Sequence, residues 1–334
     1  MNQIKTVSIS ARVLIDMHAL NNEGSESNRL MTRQVGIVTP DVDEQGEPGY
    51  RRSTVNAISG DMNKHIFMDY LRHIALDRGL PLCPACVDLD PSRMMANPGF
   101  EDWVKTKPSG VEIVDRLISC TLDDIGGTLI TAGSNSIKRK SAVEFGWTIG
   151  LPDITEVQEF IHARHAVRRV TRTKAGRDAS EETKKQAVEE KEANLGQMIF
   201  DRPASSGVYA FVAHIDVGAI GFNDISGEYP AEVPSWDGSE MVPVDRASRL
   251  QAALLAMAQT LLQPRGALTS TQLPHVLDVE GFVSVSASAA SAPIISPLVD
   301  DYYQRAVNVA DMLNRMHRDS VEILPFAGQA ALLE

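Results

Sequence analysis

Cysteine is scarce: the 334 residues hold three, Cys83, Cys86 and Cys120, too few and too unevenly placed for a disulfide framework. Aromatic residues make up only 5% of the chain. No apolar run approaches the roughly 20 residues that a membrane helix needs. The N-terminus, MNQIKTVSIS, lacks the charged-then-apolar profile of a signal peptide, so a cytoplasmic protein with no membrane contact is expected. Positive charge is also in deficit. Lysine and arginine total 32 against 44 aspartates and glutamates, and the net charge of −12 argues against a uniformly basic nucleic-acid binder while leaving room for a local basic groove. GxSxG, Walker A, HExxH and GxGxxG are all missing from usable context, which points away from the common enzyme classes. What the chain does have is 43% hydrophobic residues, enough for two or three packed units and incompatible with disorder, collagen or coiled coil.

The apolar residues Val7, Ile9, Ala11, Val13 and Ile15 recur at every second position and predict a strand with one core face. Residues 21–50 are rich in Asn, Gly, Ser, Asp and Glu and read as a long loop or irregular hairpin, broken by the apolar stretch Val35 to Val38. Ser59-Gly60 then opens a helix, with Ser59 as cap, Asp61 beside the positive dipole end and an apolar stripe at Met62, Ile66, Phe67, Tyr70, Leu71 and Ile74. Gly79 and Pro81 stop it. Residues 80–118 form a compact helical insert, and two strand-like runs, 121–131 and 142–151, read as a hairpin around a basic turn at 133–140. Residues 152–206 form a charged excursion, with a helical piece near 180–193. A strand at 207–217, a helix with its stripe at Leu250, Leu254, Met257 and Leu261, a strand near 281–286 and a helix near 298–316 follow. The reduced order is strand, helix, two strands, helix, strand. That is the split βαβ arrangement of an α+β fold, with helices over one face of an antiparallel sheet and the other face left available.

Three stretches suit a polyanion. Ser59, Gly60, Asn63 and Lys64 lie at a helix N-terminus, where free amides and the dipole favour phosphate oxygens. Phe160 to Arg177 holds Arg164, Arg168, Arg169, Arg172, Lys174 and Arg177 with His162 and His165 and no acidic residue, a composition suited to tracking a single strand. Arg265, Gly266, Ala267, Leu268, Thr269 and Ser270 combine small residues, hydroxyls and one arginine just after a helix. Each also has a plain structural reading, as a capped helix, a solvated charged loop and a helix stop. Cys83-Pro84-Ala85-Cys86 is half of a zinc site at most. Cys120 and a histidine could complete it, but packing cysteines are the favoured reading and no cofactor is expected. Asp123-Asp124 with Gly126-Gly127 reads as a tight turn rather than a metal site.

Taken in order, Ser8 to Arg12 leading into Ala19 to Gly24, then Ala57 to His65, Asp123 to Gly127, Lys138 to Gly146, His162 to His165, Ser206 to Phe211 and Gly266 to His275 resemble the backbone subunit of the type I CRISPR Cascade complex, the Cas-seven family of the DevR, or autoregulator, type. The likeness covers most of the chain. It implies a modified RNA-recognition (ferredoxin-like) palm at 1–65, 119–151 and 207–334, a helical finger insert at 66–118 and a projecting thumb at 152–206. It further implies a non-catalytic, RNA-binding subunit of a ribonucleoprotein, with copies of itself stacked in a helical filament along the crRNA. The guide would be presented to target DNA beside other Cascade subunits, in antiviral defence or guided targeting. Implied guide contacts are Asn21 and Asn22 in the first loop, Ser59, Gly60, Asn63 and Lys64, Arg265 to Ser270, and His162, Arg164, His165, Arg168 and Arg169 on the thumb side. The alternative is a metal-dependent ribonuclease backbone subunit using Asp16, Asp61 or Asp123.

Overall fold

The computed structural model describes residues 4–26, 29–42, 46–132, 136–164, 198–317 and 320–334. His165, Arg168, Arg169 and the expected helical piece near 180–193 lie outside the described residues. In chain order the strands are β1 (Thr6–His18), β2 (Asn22–Glu26), β3 (Arg29–Thr32), β4 (Gln34–Val42), β5 (Pro48–Ile58), β6 (Thr128–Ile130), β7 (Ile137–Arg139), β8 (Val143–Phe145), β9 (Thr148–Arg164), β10 (Met198–Asp216), β11 (Glu232–Pro234), β12 (Met241–Pro243), β13 (His275–Ser286) and β14 (Val321–Ala327). The helices are α1 (Gly60–Asp77), α2 (Pro84–Val87), α3 (Pro98–Lys105), α4 (Gly110–Ser119), α5 (Thr121–Gly126), α6 (Arg246–Leu262), α7 (Tyr302–His317) and α8 (Gln329–Leu333).

The fold is mixed α/β. Its main sheet runs β14-β13-β1-β10-β9-β5-β4, and β1 is antiparallel to both β10 and β13. The alternation in β1 decides what each face meets. Val7, Ile9, Ala11, Val13 and Ile15 are buried against Ile66, Phe67, Tyr70 and Leu71 of α1 and Ala252, Ala253, Ala256, Met257 and Leu261 of α6, which form one continuous core. Leu254, predicted in the same stripe, is 40% exposed instead.

The second sheet face is not open over β1 and β13. Ser8, Ser10, Ser284 and Ser286 are fully buried there beneath the segment 290–300. Ser8 donates to the Ala292 carbonyl at 3.1 Å, Ser284 to Pro293 at 2.6 Å and Ser286 to Ala290 at 2.6 Å, while Ser10 Oγ accepts from the Ile295 amide at 3.3 Å. Small hydroxyls on a strand read as a solvated face, but here they satisfy the backbone of a covering segment. Phe282 on the same strand packs with Tyr302 and Ala306 of α7.

Of the two readings of residues 21–50 the hairpin holds, with β2 paired irregularly to β3 and β4 to β5. β4 and β5 pair from Gln34↔Asn56 to Val42↔Pro48, and a ribbon exposed on both faces keeps loop-like polar composition. Residues 121–126 are helical, not extended: all six residues of α5 are buried, and so short a segment buried all round leaves no period to distinguish it from a strand. The expected hairpin shrinks to β6 with β7, while β8 and β9 join the main sheet. β9 and β10 run on together as a long ribbon, from Gly207↔Thr155 to Met198↔Arg164. Among the described residues no helix is long and apolar enough to cross a membrane.

Candidate nucleic-acid interface

The start of α1 is built as its sequence suggests. Ser59 is extended (φ −67°, ψ 154°) and its Oγ accepts from the Met62 amide at 3.2 Å, leaving the amides of Gly60 and Asp61 without an intrahelical acceptor. Gly60 has a different reason from the one expected. A Cβ there would lie 2.7 Å from the Phe145 carbonyl oxygen, so glycine lets the turn after β8 close against the helix end. Asn63 is buried and spends its amide on the Gly146 carbonyl (3.0 Å) and Thr148 Oγ1 (2.8 Å), clamping the same turn. Its role is internal.

Lys64 projects from the next turn between two cavities. The first, of 340 Å³, is lined by Gly60, Asp61, Ser141, Glu144 and Trp147; the second, of 350 Å³, by Asp61, His65, Cys86 and Arg93. Burial and then the Arg93 charge depress its ammonium below the usual lysine range, with Asp61 and Glu144 pulling the other way. A half-buried cation beside a second cation is a seat for an anion, because a phosphate restores the charged form that the protein alone disfavours.

The first loop and the glycine loop meet this helix end. Asn21 Oδ1 accepts from the Ser59 amide at 2.7 Å, and one residue earlier the Leu20 carbonyl accepts from Ala267 at 3.0 Å. A Cβ on Gly266 would sit 2.6 Å from that same carbonyl, so only glycine allows the approach. Residues 20–21 therefore join Ser59 to Gly266. Arg265 stays exposed, its guanidinium 5.2 Å from the Tyr70 ring centre. From the far end of the glycine loop, Thr271 Oγ1 accepts from Arg202 at 2.8 Å and Gln272 donates to the Pro203 carbonyl at 3.1 Å, tying the loop to the root of the β9–β10 ribbon. His162 and Arg164 lie further along that ribbon, opposite Phe200 and Met198. Asn22 begins β2, with its Oδ1 buried and unpartnered among the described residues.

Two residues escape the sequence reading. Trp147, 39% exposed, lines the Lys64 cavity, and the Arg33 guanidinium lies 5.5 Å from its ring centre. The Arg33 amide donates to the Asn21 carbonyl at 3.1 Å, which places the pair on the same patch. An exposed aromatic beside a cation is a base-stacking surface, but a lone Trp before a strand carries no signal of it.

The basic stretch 138–140 does not face a ligand as a unit. Arg139 is buried, bonded to Asp124 and to the Phe222 and Ala219 carbonyls, and Arg249 reaches the other oxygen of Asp124 at 2.7 Å. Asp123 and Asp124 are both fully buried in α5, not in a tight turn. Burial, then the neighbouring Cys120, push the Asp123 carboxyl well above the carboxylate range. Asp123 is thereby closed off from any bound strand, and Asp16 and Asp61 belong to no cluster of three or more metal donors among the described residues.

The sequence profile of the family described as CRISPR-associated negative auto-regulator DevR/Csa2 matches residues 9–307. The chain is 26% identical over 321 residues to CRISPR-associated protein Cas7/Cst2/DevR of Methanocaldococcus jannaschii, covering 92% of this chain and 89% of that protein. It is 23% identical over 319 residues to CRISPR-associated protein Cas7/Csa2 1 of Saccharolobus solfataricus, covering 91% and 86%. Among solved structures, a chain of a CRISPR RNA-guided surveillance complex in a pre-nicking state aligns with a TM-score of 0.46 at 10% identity, covering 95% of this chain and 90% of that one. Csc2 of Thermofilum pendens aligns with a TM-score of 0.36 at 12% identity, covering 100% and 81%. The profile match over residues 9–307 carries the assignment: the chain belongs to the DevR/Csa2 family of CRISPR-associated proteins.

Proposed function

We propose that the protein is a non-catalytic backbone subunit that binds crRNA through its phosphates, stacks copy upon copy along it and presents it for pairing with target DNA in the cytoplasm. The observation that carries this reading is the joint at Leu20 and Asn21, which brings the α1 N-terminus and the glycine loop onto one patch with Lys64, Arg33 and Trp147. Helix amides and cations hold phosphates while an aromatic face receives a base, a combination that binds single strands without reading their sequence.

The central strand order β13-β1-β10-β9, with α1 reached from β1 through the β2–β5 strands and α6 from β10 through β11 and β12, supports a split βαβ palm at 1–65, 119–151 and 207–334. The helices within 66–118 correspond to fingers and the β9–β10 ribbon within 152–206 to a thumb. The proposed contacts are Ser59 and Gly60 through backbone, Lys64, Arg265 to Ser270, and now Arg33 and Trp147. Asn21 and Asn63 brace this set from within. Asn22 and the ribbon residues His162, Arg164, His165, Arg168 and Arg169 complete the proposal.

Replacing Lys64 and Arg265 together by alanine tests it. Guide affinity is expected to fall equally for unrelated guide sequences, and the slope of log K against log salt to decrease by about 0.7 for each lost phosphate contact. Unchanged affinity and slope in a folded double variant would overturn the reading.

A further inference from the structure

We propose that Cys83, Cys86, Cys120 and Asp123 form a structural zinc site that staples the helical insert to the body of the protein. The inference stands apart from guide binding. One ligand atom from each residue, three sulfurs and a carboxylate oxygen, lies within 4.8 Å of all the others, and all four residues are buried. Around tetrahedral zinc, with Zn–S near 2.3 Å and Zn–O of about 2.0–2.2 Å, neighbouring donors stand roughly 3.5–3.8 Å apart. Asp123 Oδ2 is already 3.2 Å from Cys86 Sγ and 3.7 Å from Cys83 Sγ.

Each donor is positioned by its own element. Cys83 caps α2 and Cys86 lies within it, giving the two-residue spacing that lets two sulfurs converge on one ion. Cys120 joins α4 to α5, and Asp123 follows one helical turn later on the same face. The Thr121 amide donates to the Pro81 carbonyl at 2.9 Å, locking the two cysteine segments together. The Met94 amide donates to Asp123 Oδ1 at 3.4 Å and leaves Oδ2 turned toward the sulfurs, the kind of outer hydrogen bond that orients a metal ligand.

Chemistry selects the ion. Three thiolates and one carboxylate make a soft donor set that favours zinc over magnesium, calcium or manganese. With four buried protein donors no position is left open for water or substrate, so the site is structural. A packing role explains the thiols but gives no reason for a carboxylate turned toward three sulfurs, whereas a metal ion held by all four donors offsets its desolvation. Arg93, which donates to the Leu122 carbonyl at 3.3 Å, lies alongside to balance an anionic zinc centre. The fourth donor is an aspartate from the next helix, where the sequence suggested a histidine.

The test uses the full chain, purified under reducing conditions from zinc-supplemented culture and dialysed against metal-free buffer. Elemental analysis should find about one zinc per chain, released in step with thiol modification by a mercurial. Cobalt exchanged into the site should give the intense visible bands of a tetrahedral ion and thiolate charge transfer. Asp123→Cys should retain the metal, whereas Asp123→Ala should hold it about tenfold or more weakly in chelator competition. Should Asp123→Ala fail to fold, the zinc count and the cobalt spectrum of the unaltered protein still decide. Three freely titrating thiols with negligible zinc, or a Cys83–Cys86 disulfide in the purified protein, would overturn the proposal.

Discussion

Truncating Asp124 to alanine should be among the most damaging single substitutions in this chain. The residue is fully buried, and Arg139 and Arg249, which share its carboxylate, are 4% and 0% exposed. Arg249 Nη1 lies 2.7 Å from Oδ2, and the Gly221 amide donates to both oxygens at 3.0–3.1 Å. Beyond this carboxylate, Arg249 donates only to the Ile118 carbonyl at 2.8 Å, and its Nε and Nη2 have no partner among the described residues. Asp124→Ala would strand two guanidinium charges in an apolar site. Removing one partner of a buried pair costs about 3–5 kcal/mol, and with two cations depending on one anion the upper end is expected. Against a total stability of about 5–15 kcal/mol, the variant should melt far below the parent or fail to fold at 37 °C. The check is urea unfolding followed by circular dichroism, with Asp124→Ala, Arg249→Met and the double variant compared. The double variant should be more stable than Asp124→Ala alone, because one orphaned charge goes with the arginine, giving a coupling of about 1–3 kcal/mol. A loss below about 1 kcal/mol for Asp124→Ala, or strict additivity, would refute the reasoning.

Gly60→Ala sets helix propensity against the 2.7 Å approach of the Phe145 carbonyl, and a net loss of about 1–3 kcal/mol is expected by thermal melting; a neutral result would mean that the turn yields. Trp147→Ala should weaken guide binding by about 1–3 kcal/mol with an unchanged salt slope, as read by fluorescence anisotropy across ionic strengths. A flattened slope would assign the loss to charge instead. Burial lowers the His18 pKa to about 4 from an ordinary 6.5, so the unfolded chain takes up the proton first on acidification. Stability from the neutral ring is complete above pH 6.5 and declines as pH falls toward 4, by at most about 3 kcal/mol at 1.36 kcal/mol per pH unit. His18→Phe should reduce the acid sensitivity lying between pH 6.5 and 5 and leave the share of His214, which burial also lowers; an unchanged pH profile would exclude His18 as a source.

Local grammar was legible and long-range pairing was not. The Ser59 cap, the β1 alternation and the α1 stripe each follow from spacing within one element, and the structure reproduces them. Roles set by distant partners were hidden. Gly60 and Gly266 look like phosphate-binding glycines, yet each is fixed by a carbonyl oxygen, from Phe145 and Leu20 respectively. Asn63 looks like an exposed polar residue one turn into a helix, and its contacts at Gly146 and Thr148 lie more than 80 positions away. The split βαβ order suggested an open sheet face, and nothing in the serines of β1 and β13 announces the 290–300 segment. The grouping of Cys83, Cys86 and Cys120 with Asp123 was hidden for a local reason. Reading 121–126 as extended turns Asp123 away from Cys120, whereas one helical turn aligns them.

Net charge misleads about the proposed interface because it does not show which cations are already paired. Arg139 and Arg249 are spent inside the fold on Asp124, and at the surface Arg12 meets Asp300, Arg51 meets Asp41 and Asp153, Arg72 meets Asp69 and Arg305 meets Asp301. Lys64 and Arg265 have no such carboxylate partner among the described residues, and both border the patch joined by Leu20 and Asn21. On the proposed reading, the same −12 that argues against a general binder disfavours a strand away from the cations of this patch. Lys64, Arg265 and Arg33 together contribute only about 2 to the salt slope of an isolated subunit, so this patch alone binds weakly. On the proposed reading the necessary avidity comes from neighbouring copies on one guide, each adding its contacts to an already tethered strand.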